Sequence, residues 1–151
     1  MGWANWVLFR FVNKTVDDTL KLKFPNTDDH WGYPFAGTKD TNTRRIEYSD
    51  IQQVDIKPKG SYSYGQTGKP NTFAGMEGTV DIYTKATAGS EEEKIARVFY
   101  SCSRHSPKNK FTISDTAPGW QVTQWGADLW GDALGSIKIE PVGTKFSPLF
   151  I

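Results

Sequence analysis

The sequence predicts an all-β fold, an antiparallel β-sandwich, on three grounds. Short apolar or alternating runs of strand length recur along the 151 residues. Clusters of glycine, proline, asparagine and serine separate these runs at regular intervals. No window shows the periodicity of an amphipathic helix. The length suits one domain that can bury a core without disulfides or metal.

The predicted strands begin with the apolar run Trp6–Val12, which ends at Asn13. The second run, Leu20–Phe24, alternates apolar residues with lysine and stops at a proline. The other predicted strands are Arg44–Tyr48, Gln53–Lys57, Ser61–Tyr64, Gly78–Thr84, Ile95–Cys102, Lys110–Ser114, Trp120–Gln124 and Ser136–Glu140. The stretch Pro25–Asn42 lacks a strand pattern but is aromatic, so we expect an ordered, irregular loop there.

Charge and cysteine content exclude several classes of protein. A net charge of +1 lacks the basic excess that binding to duplex nucleic acid requires. Cys102 is the only cysteine, so no internal disulfide can form. No apolar run is long enough for a transmembrane helix, and the N-terminus lacks the features of a signal peptide. We therefore expect synthesis in the cytosol.

Catalytic, cofactor and metal chemistry is not predicted. Cys102 and His105 are three residues apart at a strand end, so their side chains should diverge, and we expect Cys102 to be a small buried apolar residue. The cluster Asp28, Asp29 and His30 has no second group of ligands to complete a coordination shell, and it predicts a solvated loop. The protein is therefore predicted not to be an enzyme and to need no cofactor.

The residues that point to a function are aromatic. Three of the six tryptophans are followed by glycine, in the pairs Trp31-Gly32, Trp125-Gly126 and Trp130-Gly131. A tryptophan beside glycine sits at a strand end or turn, where its ring can be shown to a partner. Because the ring is apolar and its N–H is polar, it suits a boundary between apolar matter and water. The pairs predict a surface that meets a lipid, a sugar or another protein.

A phospholipid head-group site is one hypothesis for that surface. Aromatic faces attract ammonium groups, and lysine or arginine pairs with phosphate. The aromatic candidates are Trp6, Trp31, Tyr33 and Phe35, and the basic candidates around a proline turn are Arg104, His105, Lys108 and Lys110. The alternative is that Trp6 belongs to the core and the basic turn is merely solvated. These segments are far apart in sequence, so only the fold can bring them together.

Ordered motifs give the chain a resemblance to the aegerolysin family, over about residues 3 to 140. The motifs are Trp3-Ala4-Asn5-Trp6-Val7, Trp31-Gly32, Gly37-Thr38-Lys39-Asp40, Gly75–Asp81, Phe99-Tyr100 with Cys102, and Ala133-Leu134-Gly135-Ser136-Ile137. The resemblance implies an actinoporin-like β-sandwich over 3–142, followed by a C-terminal tail over 143–151. It also implies no enzymatic activity and binding to membrane sphingolipids, in some members together with sterol. Several members are the targeting half of a two-component cytolysin, whose partner carries a membrane attack complex/perforin domain. Such proteins can be haemolytic or insecticidal, and they can form oligomers on membranes.

The resemblance also implies lipid-binding positions. Trp6 and Trp31 match two tryptophans of the family's head-group site, and Arg104 replaces a third. A family lysine falls near Pro107 or Lys108, and a glutamate linked to cholesterol dependence falls at Ala74. An arginine in place of a tryptophan weakens a cage for cations and strengthens a clamp for phosphate. A glycan- or protein-binding module on the same sandwich, without pore formation, is the alternative that aromatic loops leave open.

Overall fold

Nine strands in the described part of the chain form two stacked sheets. The computed structural model describes residues 5–37, 44–68, 75–89, 91–102 and 108–143. The strands are β1 (Trp6–Val12), β2 (Leu20–Lys23), β3 (Tyr33–Ala36), β4 (Ser61–Thr67), β5 (Met76–Thr84), β6 (Lys94–Cys102), β7 (Lys110–Ser114), β8 (Trp120–Trp125) and β9 (Gly135–Gly143). A single-turn 3-10 helix spans Thr27–Asp29, and the helix α1 spans Tyr48–Gln52. Neither of these helices is long and apolar enough to cross a membrane.

The sheet order confirms the predicted sandwich. One sheet has the order β3-β4-β1-β9-β8 and the other has the order β2-β5-β6-β7. All strand pairs are antiparallel except β1 and β9, which run in the same direction. The strand β1 therefore lies in the middle of its sheet, between β4 and the last strand β9.

Aromatic rings from both sheets fill the space between them. Along β1 the side chains of Val7, Phe9 and Phe11 are buried, while Arg10 between them is exposed. This alternation follows from the two-residue repeat of a strand with one face on the core. The ring of Phe9 meets that of Tyr100 on β6 edge-on, with 4.9 Å between centroids. Such tilted contacts join the two sheets through apolar burial and favourable ring geometry.

Two of the predicted strands are wrong, and one real strand was not predicted. Arg44–Tyr48 and Gln53–Lys57 flank α1, whose first turn is closed by Glu47 and Asp50 in a reciprocal capping box. This five-residue helix is too short to show a helical repeat in the sequence. The strand β3 lies within the predicted irregular loop, where Pro34 breaks the pattern. Proline is tolerated in β3 because that strand forms an edge of the sheet.

Candidate functional site

Two rows of paired residues meet at one end of the sandwich. In the first sheet, Trp6 on β1 is opposite Thr67 on β4, and Thr67 is opposite Tyr33 on β3. In the second sheet, the loop residue Trp31 forms an isolated bridge with Glu77 on β5. Gly32 connects the two rows, because it joins Trp31 to Tyr33 directly. The fold thus brings three of the predicted site residues, Trp6, Trp31 and Tyr33, to the same end.

The second row continues to the basic residues. Glu77 on β5 is opposite Ser101 on β6, and Ser101 is opposite Lys110 on β7. Lys108 precedes β7 and lines a cleft together with Trp31 and Lys110. The predicted combination of an aromatic ring with lysines from a distant segment is therefore present in the structure.

The backbone of Trp31 is fixed while its ring stays in contact with solvent. Its N–H donates to the Glu77 carbonyl at 2.9 Å, and the Glu77 N–H donates back at 3.1 Å. The buried amide of Gln66 donates from Nε2 to both carbonyls, that of Trp31 and that of Glu77, at 2.8 Å each. The hydroxyl of Tyr100 donates to Gln66 Oε1 at 2.7 Å. Trp31 keeps 50% of its surface exposed, so an immobile backbone presents an accessible indole.

Glycine is required after Trp31. Gly32 has a φ of +90°, in the left-handed region that residues with a Cβ rarely adopt. A Cβ at this position would lie 2.1 Å from the carbonyl oxygen of Thr67. The rings of Trp125 and Trp130 are also exposed, by 51% and 71%. The prediction that a tryptophan beside glycine is displayed is confirmed for all three pairs.

An acidic cleft of about 360 Å³ adjoins Trp31. It is lined by residues of the 3-10 helix, the Trp31 loop and the second sheet, namely Asp28, Asp29, His30, Trp31, Glu77, Gly78, Thr79 and Phe99. Three of these side chains are carboxylates, and none is a lysine or arginine. The cleft combines an aromatic face with negative charge, which is the chemistry that attracts an organic cation.

A basic cleft of about 250 Å³ shares Trp31 and Glu77 with the acidic one. Its lining is Trp31, Met76, Glu77, Ser101, Cys102, Lys108 and Lys110. The two lysines can pair with a phosphate or carboxylate. Trp31 therefore stands where a negatively charged cleft and a positively charged cleft meet, and a ligand that spans both would carry both signs of charge.

His30 is built into the structure, so its prediction as part of a solvated loop is wrong. Its ring meets Phe24 and Tyr48 edge-on, and Nδ1 lies 2.9 Å from the Tyr48 hydroxyl. Nε2 lies 3.0 Å from the backbone nitrogen and 3.1 Å from the carbonyl oxygen of Thr79. Burial lowers the pKa of His30 below its usual 6.5. Sequence could not reveal this, because the polar partners Tyr48 and Thr79 lie 18 and 49 residues further along the chain.

The neighbours of His30 behave as the sequence predicts. Asp28 and Asp29 are exposed, and the Asn26 side chain caps their short helix by accepting the Asp28 N–H at 3.2 Å. Within the described ranges, no three histidine, cysteine or carboxylate side chains are grouped to hold a metal ion.

Cys102 is the buried apolar residue that the sequence predicts. It has no solvent exposure, and its Sγ accepts the Leu134 N–H at 3.1 Å. Burial raises the pKa of the thiol to about 12, so the nucleophilic thiolate is scarce at neutral pH. The proposed partner His105 lies outside the described residues.

The other predicted positions divide into two groups. Trp6 and Tyr33 are half-buried at the site end but do not belong to the described lining of either cleft. The Tyr33 ring faces the guanidinium of Arg45, with 5.3 Å from Cζ to the centroid. Ala74 and Arg104 lie outside the described residues, as does the predicted tail beyond Gly143.

Gln66 and Glu77 were not predicted, because nothing local in the sequence marks a strand residue that contacts a distant loop.

Comparisons with known proteins place the chain among related sequences. A family model described as Aegerolysin matches residues 4–143. Ostreolysin A6 of Pleurotus ostreatus is 25% identical, with 93% of this chain and 96% of the relative covered. Aegerolysin Aa-Pri1 of Cyclocybe aegerita is 28% identical, with 92% and 90% covered. The crystal structure of IP-1A from Alcaligenes faecalis shares the fold, with a TM-score of 0.73, 21% identity, and 95% and 94% of the two chains covered.

Replacing Gly32 with alanine should disrupt the display of Trp31. The substitution forces a positive φ and a clash with a backbone oxygen, so we expect a loss of at least roughly 1–3 kcal/mol in the free energy of unfolding. Urea unfolding of the wild type and the variant measures this difference in the free energy of unfolding. Gly89→Ala is the matched control, because a Cβ there meets nothing within 4 Å. Equal stability of the two variants would contradict the assigned role of Gly32.

Acidification should destabilise the protein through His30. Because the pKa is lower in the folded state than in the unfolded state, the unfolded chain takes up the proton first. The contribution of His30 to stability is therefore complete above pH 6.5 and is lost as the pH falls from 6.5 towards the folded pKa. Urea midpoints between about pH 7.5 and about pH 5 should fall for the wild type and fall less for His30→Gln.

The control for this pH series is the second histidine. His105→Gln supplies the slope of a variant that keeps His30 and has lost the other histidine. Asp55, whose pKa is lowered to about 2 by Lys85 and Lys21, affects stability only at a more acidic pH, so it does not confuse the measurement. A His30→Gln variant with an unchanged slope would show that another group titrates.

Proposed function

The chain belongs to the aegerolysin family of non-enzymatic, lipid-binding proteins related to cytolysins, and on that premise we propose that it binds the head group of a membrane sphingolipid. The observation that carries the proposal is the position of Trp31. Its ring is half exposed and lies where the acidic and basic clefts meet. A zwitterionic phospholipid head group carries an ammonium and a phosphate close together, and it matches this pairing of charges.

The acidic cleft suits the ammonium end of such a head group. The Trp31 ring offers a cation–π contact worth about 0.5–2 kcal/mol. Asp28, Asp29 and Glu77 add negative charge beside it. Glu77 is also paired with Trp31 through the backbone, so the two residues are held next to each other.

The basic cleft suits the phosphate end. Lys108 and Lys110 both line it, and charged hydrogen bonds from lysine to phosphate are stronger than those between neutral groups. We include Trp6, Ala74 and Arg104 in the proposed lipid-contacting surface on the strength of the family pattern, and Tyr33 as a further aromatic residue at the same end of the sandwich. Arginine at position 104 would add a second type of phosphate donor.

The proposed role is membrane targeting within a two-component cytolysin. In it, the chain binds the sphingolipid, with or without sterol, and recruits a partner with a membrane attack complex/perforin domain that forms the pore. We also propose release from the producing cell, oligomerisation on the membrane, and haemolytic or insecticidal action. Family membership supports this part of the proposal.

One feature of the acidic cleft favours a second candidate, a glycan-binding function. Three carboxylates beside an exposed aromatic ring provide acceptors for sugar hydroxyls and a flat apolar face for a sugar ring. The lysines of the basic cleft have no part in this arrangement. The two candidates therefore differ in whether binding depends on Lys108.

Vesicle sedimentation tests the lipid function. The panel contains sphingomyelin, ceramide phosphoethanolamine and ceramide phosphate, each with and without cholesterol. We expect the wild type to sediment with at least one zwitterionic lipid, and Trp31→Ala to bind roughly fivefold more weakly, since the cation–π contact is worth about 1 kcal/mol. Lys108→Gln should weaken binding to every phosphate lipid, whereas Glu77→Gln should weaken binding only to lipids whose head group carries an ammonium.

Val16→Ala is the control for this panel. Val16 is 86% exposed and follows β1 at the end opposite Trp6, so its removal should leave binding unchanged. If the folded wild type sediments with no member of the panel but binds a glycan array, the lipid function is wrong and the glycan function replaces it.

A further inference from the structure

Trp130 is the most exposed aromatic residue in the described part of the chain. It keeps 71% of its surface accessible and lies in the segment between β8 and β9. A large apolar ring at the surface often marks a contact site when it joins other exposed apolar groups. Whether Trp130 does so depends on how its loop is held and on what lies beside it.

A buried asparagine holds the Trp130 loop in one shape. Asn109, which is 3% exposed, donates from Nδ2 to the carbonyls of Asp128 at 2.8 Å, Gly131 at 2.9 Å and Ala133 at 3.3 Å. Its own N–H donates to the Leu129 carbonyl at 2.8 Å. These bonds fix the backbone on both sides of Trp130, so the exposure of the ring is a property of an ordered loop.

Asp128 closes the same loop from within. Its Oδ1 accepts the backbone N–H groups of Trp130 and Gly131, at 3.0 Å each. The carboxylate is thus engaged by the backbone of its own loop. Its negative charge satisfies those donors, which a turn of this kind would otherwise leave exposed.

The loop stands at the same end of the sandwich as the proposed head-group site. The Asn5 N–H donates to the Asp132 carbonyl at 3.0 Å, and the Leu134 N–H donates to the Trp6 carbonyl at 3.0 Å. Both contacts tie the loop to the start of β1. The ammonium of Lys108 lies 5.6 Å from the centroid of the Trp130 ring. Because Lys108 also lines the basic cleft with Trp31, it lies between the two exposed indoles.

We propose that Trp130 and Lys108 form a second lipid contact, which anchors the protein in the interfacial layer of a phospholipid membrane beside the head group bound at Trp31. This inference rests on the proposed lipid function. An indole is favoured at the level of the lipid head groups, because its ring is apolar and its N–H needs a polar partner. A lysine beside it can keep its ammonium among the phosphates while its carbon chain lies against the ring.

The chemistry favours a lipid surface over a soluble ligand. Trp130 lies outside the described lining of both clefts beside Trp31, with its ring open to solvent. Two exposed indoles on ordered backbone, with lysines beside them, present apolar rings and positive charge at one end of the molecule. A layer of phosphates above acyl chains complements both features at once.

Trp125 provides a matched control within the same chain. Its ring is 51% exposed, and the ammonium of Lys138 lies 5.0 Å from its centroid, so the pair resembles that of Trp130 and Lys108. Trp125 lies, however, beside Leu8 and Arg10 in a groove on the outer face of the five-stranded sheet. It tests whether any exposed tryptophan–lysine pair would have the same effect.

The experiment measures the partition of the full chain onto the vesicles of the panel that bind the wild type most tightly. We expect Trp130→Ala to weaken partition roughly tenfold, from the loss of about 60 Å² or more of apolar contact at about 25 cal/mol per Å². Trp130→Phe should keep part of this contact, and Trp125→Ala should bind within about twofold of wild type. Thermal melting should be unchanged for all three, because the rings are exposed.

A second readout separates insertion from indirect effects. Lipids brominated near the top of the acyl chain should quench part of the tryptophan fluorescence of the bound wild type. Trp130→Phe should remove much of that quenching, and Trp125→Phe should not. If Trp130→Ala binds as well as Trp125→Ala, the anchor is wrong while the head-group site stands. If the folded wild type binds no vesicle, both are wrong.

Discussion

The buried side chain of Gln66 is the interaction on which the site depends. It projects from β4 in one sheet and accepts a hydrogen bond from Tyr100 on β6 in the other. Its Nε2 donates to the carbonyls of Trp31 and Glu77. Without it the Tyr100 hydroxyl would lose its acceptor in the interior, at a cost of about 1–3 kcal/mol, and each of the two carbonyls would keep only its backbone hydrogen bond. One amide therefore ties together both sheets and the loop that carries the exposed indole.

The geometry of the site follows from the hydrogen bonds of Gln66. Trp31 is held at the backbone, so exposing its ring requires no ordering of the loop when a ligand binds, and preorganisation of this kind improves affinity. Gly32 permits the sharp return of the chain into β3. The acidic and basic clefts meet at Trp31 and Glu77, which line both, while Ser101 and Lys110 further along the same row of paired residues line the basic cleft. A folded sandwich can thus present both signs of charge beside one ring without a deep pocket.

The sequence predicts local features well and long-range pairing poorly. The apolar run Trp6–Val12 predicts the strand β1, and glycine after Trp31 predicts an exposed ring. Pro34 conceals β3, because proline disrupts the strand pattern although an edge strand tolerates it. The parallel pairing of β1 with β9 and the role of Gln66 join residues far apart along the chain. No periodicity records such contacts, so they emerge only once the sheets are assembled.

A double-mutant cycle between Gln66 and Trp31 tests the account most directly. The quantity measured is the free energy of vesicle binding for the wild type, Gln66→Met, Trp31→Ala and the combination, at a temperature where all four are folded. If Gln66 acts by presenting Trp31, its substitution should weaken binding in the wild type and add nothing once Trp31 is alanine. Fully additive losses would contradict the account, since Gln66 would then affect binding by a route that does not pass through Trp31.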